Sequence, residues 1–65
     1  MTKREREVIE LIVEGMSNKE IARRLHLSTH TIKSHVRNIL SKLHVANRWE
    51  AARRAGEEGL LDGRL

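Results

Sequence analysis

The chain contains no cysteine, no proline, no tyrosine and no phenylalanine, and Trp49 is its one aromatic residue. Without cysteine there is no disulfide framework, no thiolate metal site and no cysteine nucleophile; the lack fits a reducing compartment. No run of apolar residues comes near the roughly 18 that a membrane-spanning helix requires. The opening residues, Met1-Thr2-Lys3-Arg4-Glu5-Arg6, lead into an alternately charged helix and carry no signal-peptide pattern, so the expected location is the cytoplasm. No Gly/Ser linker, low-complexity tract or internal repeat divides the chain. Its 65 residues are room for a single domain, 1–65, with a thin core and marginal stability.

Charge, by contrast, is plentiful and unevenly placed. The formal net charge is +4, but residues 17–48 hold seven Lys/Arg against one acid, Glu20, for a local charge of +6. The flanks hold six bases and eight acids, for −2. A basic middle is the electrostatic footprint of a site for a polyanion. A surplus of Lys and Arg that merely keeps a small domain soluble accounts for the number equally well, so charge alone leaves both readings open.

Helix caps supply the punctuation that proline and glycine do not. Thr2 with Glu5 has the spacing of a capping box, and Val8, Ile9, Leu11, Ile12 and Met16 then recur at helical spacing up to Gly15, which suits a left-handed helix end. Ser17 with Glu20 repeats the box, ahead of the short apolar stripe Ile21, Ala22 and Leu25. Ser28 caps a longer helix whose inner face is Ile32, Val36, Ile39, Leu40 and Leu43, and whose outer face is His30, Lys33, Ser34, Arg37, Asn38 and Lys42. Asn47 with Glu50 opens a last helix that stops at Gly59, with Leu60 and Leu61 expected to fold back onto the core. The expected fold is all-α, with four helices over about 3–14, 18–25, 29–44 and 48–58.

The second helix, the break His26-Leu27-Ser28 and the third helix together have the form of a helix-turn-helix. Ala22 is small where the two helices must cross closely, Leu25 and Leu27 bury the turn, and Ile32 anchors the third helix. His26 stands where such a turn usually has glycine at positive φ. Histidine is among the residues that enter the left-handed region without glycine's freedom, so a modest strain is expected there rather than a different fold. The start of the third helix then projects from the body, and an α-helix fits the major groove of DNA.

Several runs carry a closer likeness. Lys3-Arg4-Glu5-Arg6-Glu7-Val8, Glu14-Gly15-Met16-Ser17-Asn18-Lys19-Glu20-Ile21-Ala22 and Thr31-Ile32-Lys33-Ser34-His35-Val36-Arg37-Asn38-Ile39 resemble the LuxR-type (GerE-type) DNA-binding domain, as do Lys42-Leu43, Val45, Asn47-Arg48 and Glu50-Ala51. The resemblance covers nearly the whole chain. It implies a four-helix domain that binds promoter DNA as a dimer, usually at the C-terminus of a response regulator or autoinducer receptor. The third helix would be the reading helix and the fourth the usual dimer contact. Met1, His26 and Trp49 depart from the family pattern, and only Trp49 bears on function, because it lies on the fourth helix. No receiver or ligand-binding domain precedes the motif, which fits either an excised domain or a free-standing small regulator.

Within that frame Lys33, Ser34 and Arg37 are the candidates for base contacts, since Arg and Lys reach guanine N7 and O6 and Ser serves several bases. Lys19, Arg23, Arg24, Ser28, Thr29, Thr31, Asn38 and Lys42 are candidates for phosphate contacts. Ser28 could instead serve only as a cap, and Arg23 or Arg24 could pair with Glu20. His35 is either partly buried or a DNA contact. Trp49, Ala52, Arg53 and Gly56 share one face of the fourth helix as the dimer contact, with core packing the alternative for Trp49. The narrow stripe implies a homodimer that is weak off DNA. The expected partners are double-stranded promoter DNA, a second copy and RNA polymerase, with no membrane and no cofactor. The four histidines lack metal-ligand spacing, so no metal is expected. Region 4 of a sigma factor shares the helix-turn-helix but not the flanking motifs. A protein-interaction module would want an apolar stripe on the outer face of the third helix. An enzyme is disfavoured by the lack of a Gly-rich phosphate loop, a nucleophile–base pair or chain enough for a closed pocket.

Overall fold

The computed structural model describes residues 1–57 as four helices in the order α1 (Lys3–Val13), α2 (Asn18–Leu25), α3 (Thr29–Leu43) and α4 (Arg48–Glu57), with no strand among the described residues. The all-α expectation holds. α1 and α3 each stop one residue before the expected end, because Glu14 and His44 serve as their C-terminal caps. The expected end of the last helix at Glu58, its stop at Gly59 and the fold-back of Leu60 and Leu61 lie outside the described residues.

The N-terminal devices form as the sequence implies. Thr2 and Glu5 exchange both bonds of a capping box, and so do Ser17 and Glu20. Ser28 Oγ accepts the Thr31 N–H at 3.0 Å. The fourth start differs in one bond. Asn47 Oδ1 accepts the Glu50 N–H at 2.9 Å, but the Glu50 carboxylate reaches past Asn47 to the Ala46 N–H at 3.0 Å.

The C-terminal ends of α1, α2 and α3 share one construction. At each, a residue with positive φ turns the chain, and the next N–H bonds five residues back. Gly15 (φ 92°) precedes Met16, whose N–H donates to Leu11 O at 3.1 Å. His26 (φ 60°) precedes Leu27, bonded to Ala22 O at 2.9 Å, and His44 (φ 57°) precedes Val45, bonded to Leu40 O at 3.1 Å. Met16, Leu27 and Val45 then lie against the core. The apolar residue after each turn thus ties a satisfied helix end to buried surface.

The core is aliphatic throughout. Val8, Ile9, Leu11 and Ile12 of α1 meet Ile21 and Ala22 of α2, Ile32, Ile39 and Leu43 of α3, and Ala51 and Ala55 of α4. α1 touches all three other helices, and α3 packs on α2 and α4 as well. Leu25, Val36 and Leu40, expected on the inner faces, are only half-buried at its margin, as is Met16. A domain this small has too little interior to cover every apolar position.

Three long cations tie the helices together. Lys42 Nζ on α3 lies 2.7 Å from Glu5 Oε1 on α1, and the same oxygen accepts the Thr2 N–H at 3.1 Å. Arg48 of α4 donates to Met16 O at 2.8 Å and to Asn18 Oδ1 at 2.7 Å, fixing the α1–α2 turn. Arg54 of α4 donates to Leu43 O at 3.1 Å, one of the carbonyls that the end of α3 leaves without an intrahelical partner. Glu5 is buried at 4 % exposure, so its charge needs this company. The Lys42 hydrogen bond holds its carboxyl below the ordinary value; burial opposes, and the Thr2 N–H adds to the lowering.

Two outcomes follow from these features. Histidine in the left-handed region is strained, so His26→Gly and His44→Gly should each raise stability, by about 0.5–1 kcal/mol after glycine's greater unfolded freedom is subtracted. In a domain this size that is a rise of roughly 2–8 °C in the melting midpoint, and a fall in both variants would contradict the strain. The second outcome concerns Glu5. A carboxyl with a lowered folded pKa stabilises in full above its unfolded value, near about pH 4.3, and the contribution is lost as pH falls through the lower folded value. Melts of wild type and Glu5→Gln should therefore differ most near neutral pH and converge in acid; a gap that ignores pH would remove the ion pair from the account of stability.

Candidate nucleic-acid interface

α2 and α3 meet through the turn at His26 and Leu27, and their outer surfaces form one basic face. Ile21 and Ile32 are both fully buried and fix the contact between the two helices, while Ala22, at 5 % exposure, leaves space for it. The consequence is that α3 presents to solvent the residues its inner stripe does not use. Lys33, Ser34 and Arg37 are all exposed, within the first nine residues of the helix, and no ion pair among the described residues engages Lys33 or Arg37. His30 and Asn38 are exposed beside them, and His35 is half-buried.

α2 contributes the rest of the positive charge. Lys19, Arg23 and Arg24 are exposed. The pairing of Arg23 or Arg24 with Glu20, left open by spacing, is not made: among the described residues the ion pairs are Arg4–Glu7 and Lys42–Glu5. Glu20 is committed elsewhere, since its carboxylate accepts the Ser17 N–H at 2.8 Å. That backbone bond, then the Ser17 side chain and the nearby Arg23 charge, hold its carboxyl below the ordinary value.

The hydroxyls at the start of α3 serve the cap and retain capacity beyond it. Ser28 Oγ and Thr31 Oγ1 lie 2.8 Å apart and share one hydroxyl proton. Two hydroxyls carry two protons, so one remains to donate outward, together with the exposed Thr29. The alternatives of cap and outward contact for Ser28 are therefore compatible.

Two of the seven basic residues in the middle segment have partners within the molecule. Arg48 turns inward to Met16 and Asn18, and Lys42 is held by Glu5. Sequence reasoning missed both ties, and also Arg54 at the end of α3. A signal for one of them exists. Glu5 falls on the same stripe as Val8, Ile9 and Ile12, and an acid on a buried stripe calls for a cation from another helix.

On α4 the expected stripe is divided. Trp49 is 77 % exposed, which excludes core packing for it. Arg53 and Gly56 are exposed, but Ala52 is half-buried against the core. Trp49 and Ala52 border an open groove of about 460 Å³ that Ile12, Val13 and Met16 also line. Among the described residues no cluster of His, Cys, Asp or Glu could hold a metal ion, and no helix is long and apolar enough to cross a membrane.

Known proteins share this arrangement. The family described as bacterial regulatory proteins, luxR family (GerE), matches residues 1–55. The transcriptional regulatory protein LiaR of Bacillus subtilis is 52% identical over 52 residues, which are 80% of this chain and 25% of LiaR. The response regulator protein VraR of Staphylococcus aureus is 46% identical over 61 residues, 94% of this chain and 29% of VraR. The chain thus spans less than a third of the length of these relatives. Among solved structures, the transcription factor GerE superposes with a TM-score of 0.84 at 36% identity, covering 91% of this chain and 88% of GerE. The response regulator ChrA of a heme-sensing two-component system gives 0.88 at 37%, covering 91% of this chain and 29% of ChrA. The chain belongs to the luxR family of bacterial regulatory proteins, as a four-helix, luxR-type helix-turn-helix DNA-binding domain rather than an enzyme.

Proposed function

We propose that the domain recognises specific sites in double-stranded promoter DNA by laying the part of α3 that carries Lys33, Ser34 and Arg37 in the major groove. The observation that supports this most directly is the unpaired basic face: Lys33 and Arg37 exposed on α3, with Lys19, Arg23 and Arg24 exposed on α2. Lys33, Ser34 and Arg37 read base edges, which carry a distinct donor and acceptor pattern in that groove. Lys19, Arg23, Arg24, Ser28, Thr29, Thr31 and Asn38 hold phosphates and set the register. The process is equilibrium binding without chemistry, in the cytoplasm, in the service of transcription regulation, with RNA polymerase as a further partner. LiaR is named a transcriptional regulatory protein and VraR and ChrA response regulators, and we carry a regulatory role to the present chain as part of the proposal.

Two protomers on adjacent half-sites complete the reading. α4 supplies the seam through Trp49, Arg53 and Gly56, with Ala52 at its edge. So narrow a stripe buries less than a stable interface of about 800 Å² per partner. The protein is therefore a monomer or weak dimer in free solution, and pairing appears on DNA, where one bound protomer raises the effective concentration of the next.

The function is tested on helix α3. Arg37→Ala and Lys33→Ala should each lose about 1–3 kcal/mol on the preferred duplex and relax base preference locally, while Arg23→Ala weakens all duplexes alike. If each protomer neutralises three or four phosphates, log K for the pair falls with log salt at a slope of about −5 to −7. A slope near zero would sink DNA binding, and a sequence preference altered by Arg23→Ala but not by the α3 variants would misplace the reading face. The seam has its own test. Trp49→Ala should abolish cooperativity on paired half-sites while leaving a single half-site bound, and the exposure of Trp49 makes the variant safe for folding. Unchanged cooperativity would remove this face from the seam.

A further inference from the structure

α3 is held at one end and reads at the other. Ile39 and Leu43 bury its second half, the Leu43 carbonyl is taken by Arg54, and Lys42 reaches across to Glu5. Lys33 lies toward the other end and Arg37 near the middle, both exposed. Nine residues separate Lys42 from Lys33, about 13 Å along the axis. A tilt of about 5° about the anchored end would move Lys33 by roughly 1 Å, more than the working range of a hydrogen bond to a base edge, about 2.7–3.2 Å.

The tie at Lys42 is built for such control. Its partner oxygen also accepts the N–H of Thr2, so the carboxylate sits in a fixed place at the cap of α1 rather than at the end of a loose side chain. Glu5 is buried, and no group other than Thr2 and Lys42 bonds to its side chain among the described residues. The buried carboxylate also cancels the charge of Lys42 locally. Lys42 is thereby a poor phosphate ligand, although it lies on the outer face of α3 and its side chain is 46% exposed.

We propose that Lys42 is a positioning residue, which through Glu5 sets the pose of α3 and thereby the sequence discrimination made by Lys33 and Arg37, and that it is not a phosphate contact. The inference rests on the DNA-reading role of α3 and assigns to Lys42 a different part in it from the one its sequence position implies.

Removing the charge of Glu5 separates the two roles by sign. Glutamine can still close the capping box, so Glu5→Gln spares the start of α1. If Lys42 holds phosphate, the variant frees a cation and removes an anion; all duplexes bind more tightly, and the ratio of specific to scrambled affinity is unchanged. If Lys42 positions α3, scrambled duplex binds as well as before or better, but the specific site loses ground. The measurement uses the full chain, a duplex enriched by wild type from a randomised pool, and a scrambled duplex of equal length. It is made well below the melting midpoint, with helicity checked by circular dichroism. We expect the ratio to fall about five- to tenfold in Glu5→Gln, the lower range for one impaired bidentate base contact. Lys42→Gln should match it, with the salt slope kept, and Lys42→Arg should restore the ratio by keeping the pair. A ratio within about twofold of wild type in folded Glu5→Gln overturns the proposal, as does a loss in Lys42→Gln that is equal on both duplexes and lowers the slope by about one phosphate. A Glu5→Gln chain that does not fold also overturns it, since the pair would then hold the whole domain rather than the pose of one helix. Failure of wild type to enrich any duplex is a separate result, and it removes the DNA-reading function itself.

Discussion

The N–H of Leu27 bonds back to the carbonyl of Ala22, and with His26 held at φ 60° that bond sets the direction in which α3 leaves α2. Every property of the basic face depends on it. It brings Ile32 down onto Ile21 within the core and leaves Lys33, Ser34 and Arg37 facing out. A glycine would hold the same turn with less strain. Histidine holds it because the bond to Ala22, the buried Ala22 side chain and the half-buried Leu27 over-determine the geometry. The same construction at His44 shows that the chain tolerates this cost twice without either turn failing.

Much of the fold was legible because its controlling interactions are local. A capping box spans three residues and a helical stripe four, so Thr2–Glu5, Ser17–Glu20 and the stripes of α1 to α3 could be read directly from spacing. The boundaries moved by one residue at Glu14 and His44, where the last residue is half in the helix and composition does not say on which side it falls. The tethers were less legible. Lys42 and Glu5 are 37 residues apart, and Arg48 and Met16 are 32 apart, so no local pattern joins them. Spacing gives the face on which a cation lies but not what stands opposite. Spacing thus put Lys33, a candidate base contact, and Lys42, a candidate phosphate contact, on one outer face, although Lys42 meets a carboxylate and Lys33 solvent. For Trp49 the sequence left core and surface open, because a lone aromatic on a stripe with alanine and glycine suits either; its 77% exposure decides for the surface.

The basic residues divide by what surrounds them. A long cation that finds a fixed acceptor inside the molecule loses much of its rotamer freedom, as Lys42 and Arg48 do, and for Lys42 the Glu5 carboxylate also offsets the local charge. Lys19, Arg23, Arg24, Lys33 and Arg37 keep their freedom and their field. The local charge of +6 in residues 17–48 therefore overstates the field of the face and understates its concentration, since the exposed cations lie together on two adjoining helices. The acids fit this division, because in the flank Glu5 neutralises Lys42 and Glu7 engages Arg4, while Glu20, the one acid of the middle segment, is occupied by the Ser17 N–H.

α4 carries this division into the proposed assembly. It packs on α1 and α3 through Ala51 and Ala55, whose small side chains permit close approach, and it delivers Arg54 to the carbonyl at the end of α3. Its outer side presents Trp49, Arg53 and Gly56. One helix thus touches the C-terminal end of α3 on one side and offers the candidate seam on the other. With ten residues, about 15 Å long, it is too short to bend appreciably between the two. Two protomers joined along α4 would have their α3 helices set at a defined separation by packed side chains rather than by a loop. In that proposed assembly half-site spacing would be a property of the same aliphatic core that fixes each α3, and a core variant that shifts α4 against α3 would alter the spacing that the pair prefers before it altered the bases that each protomer reads.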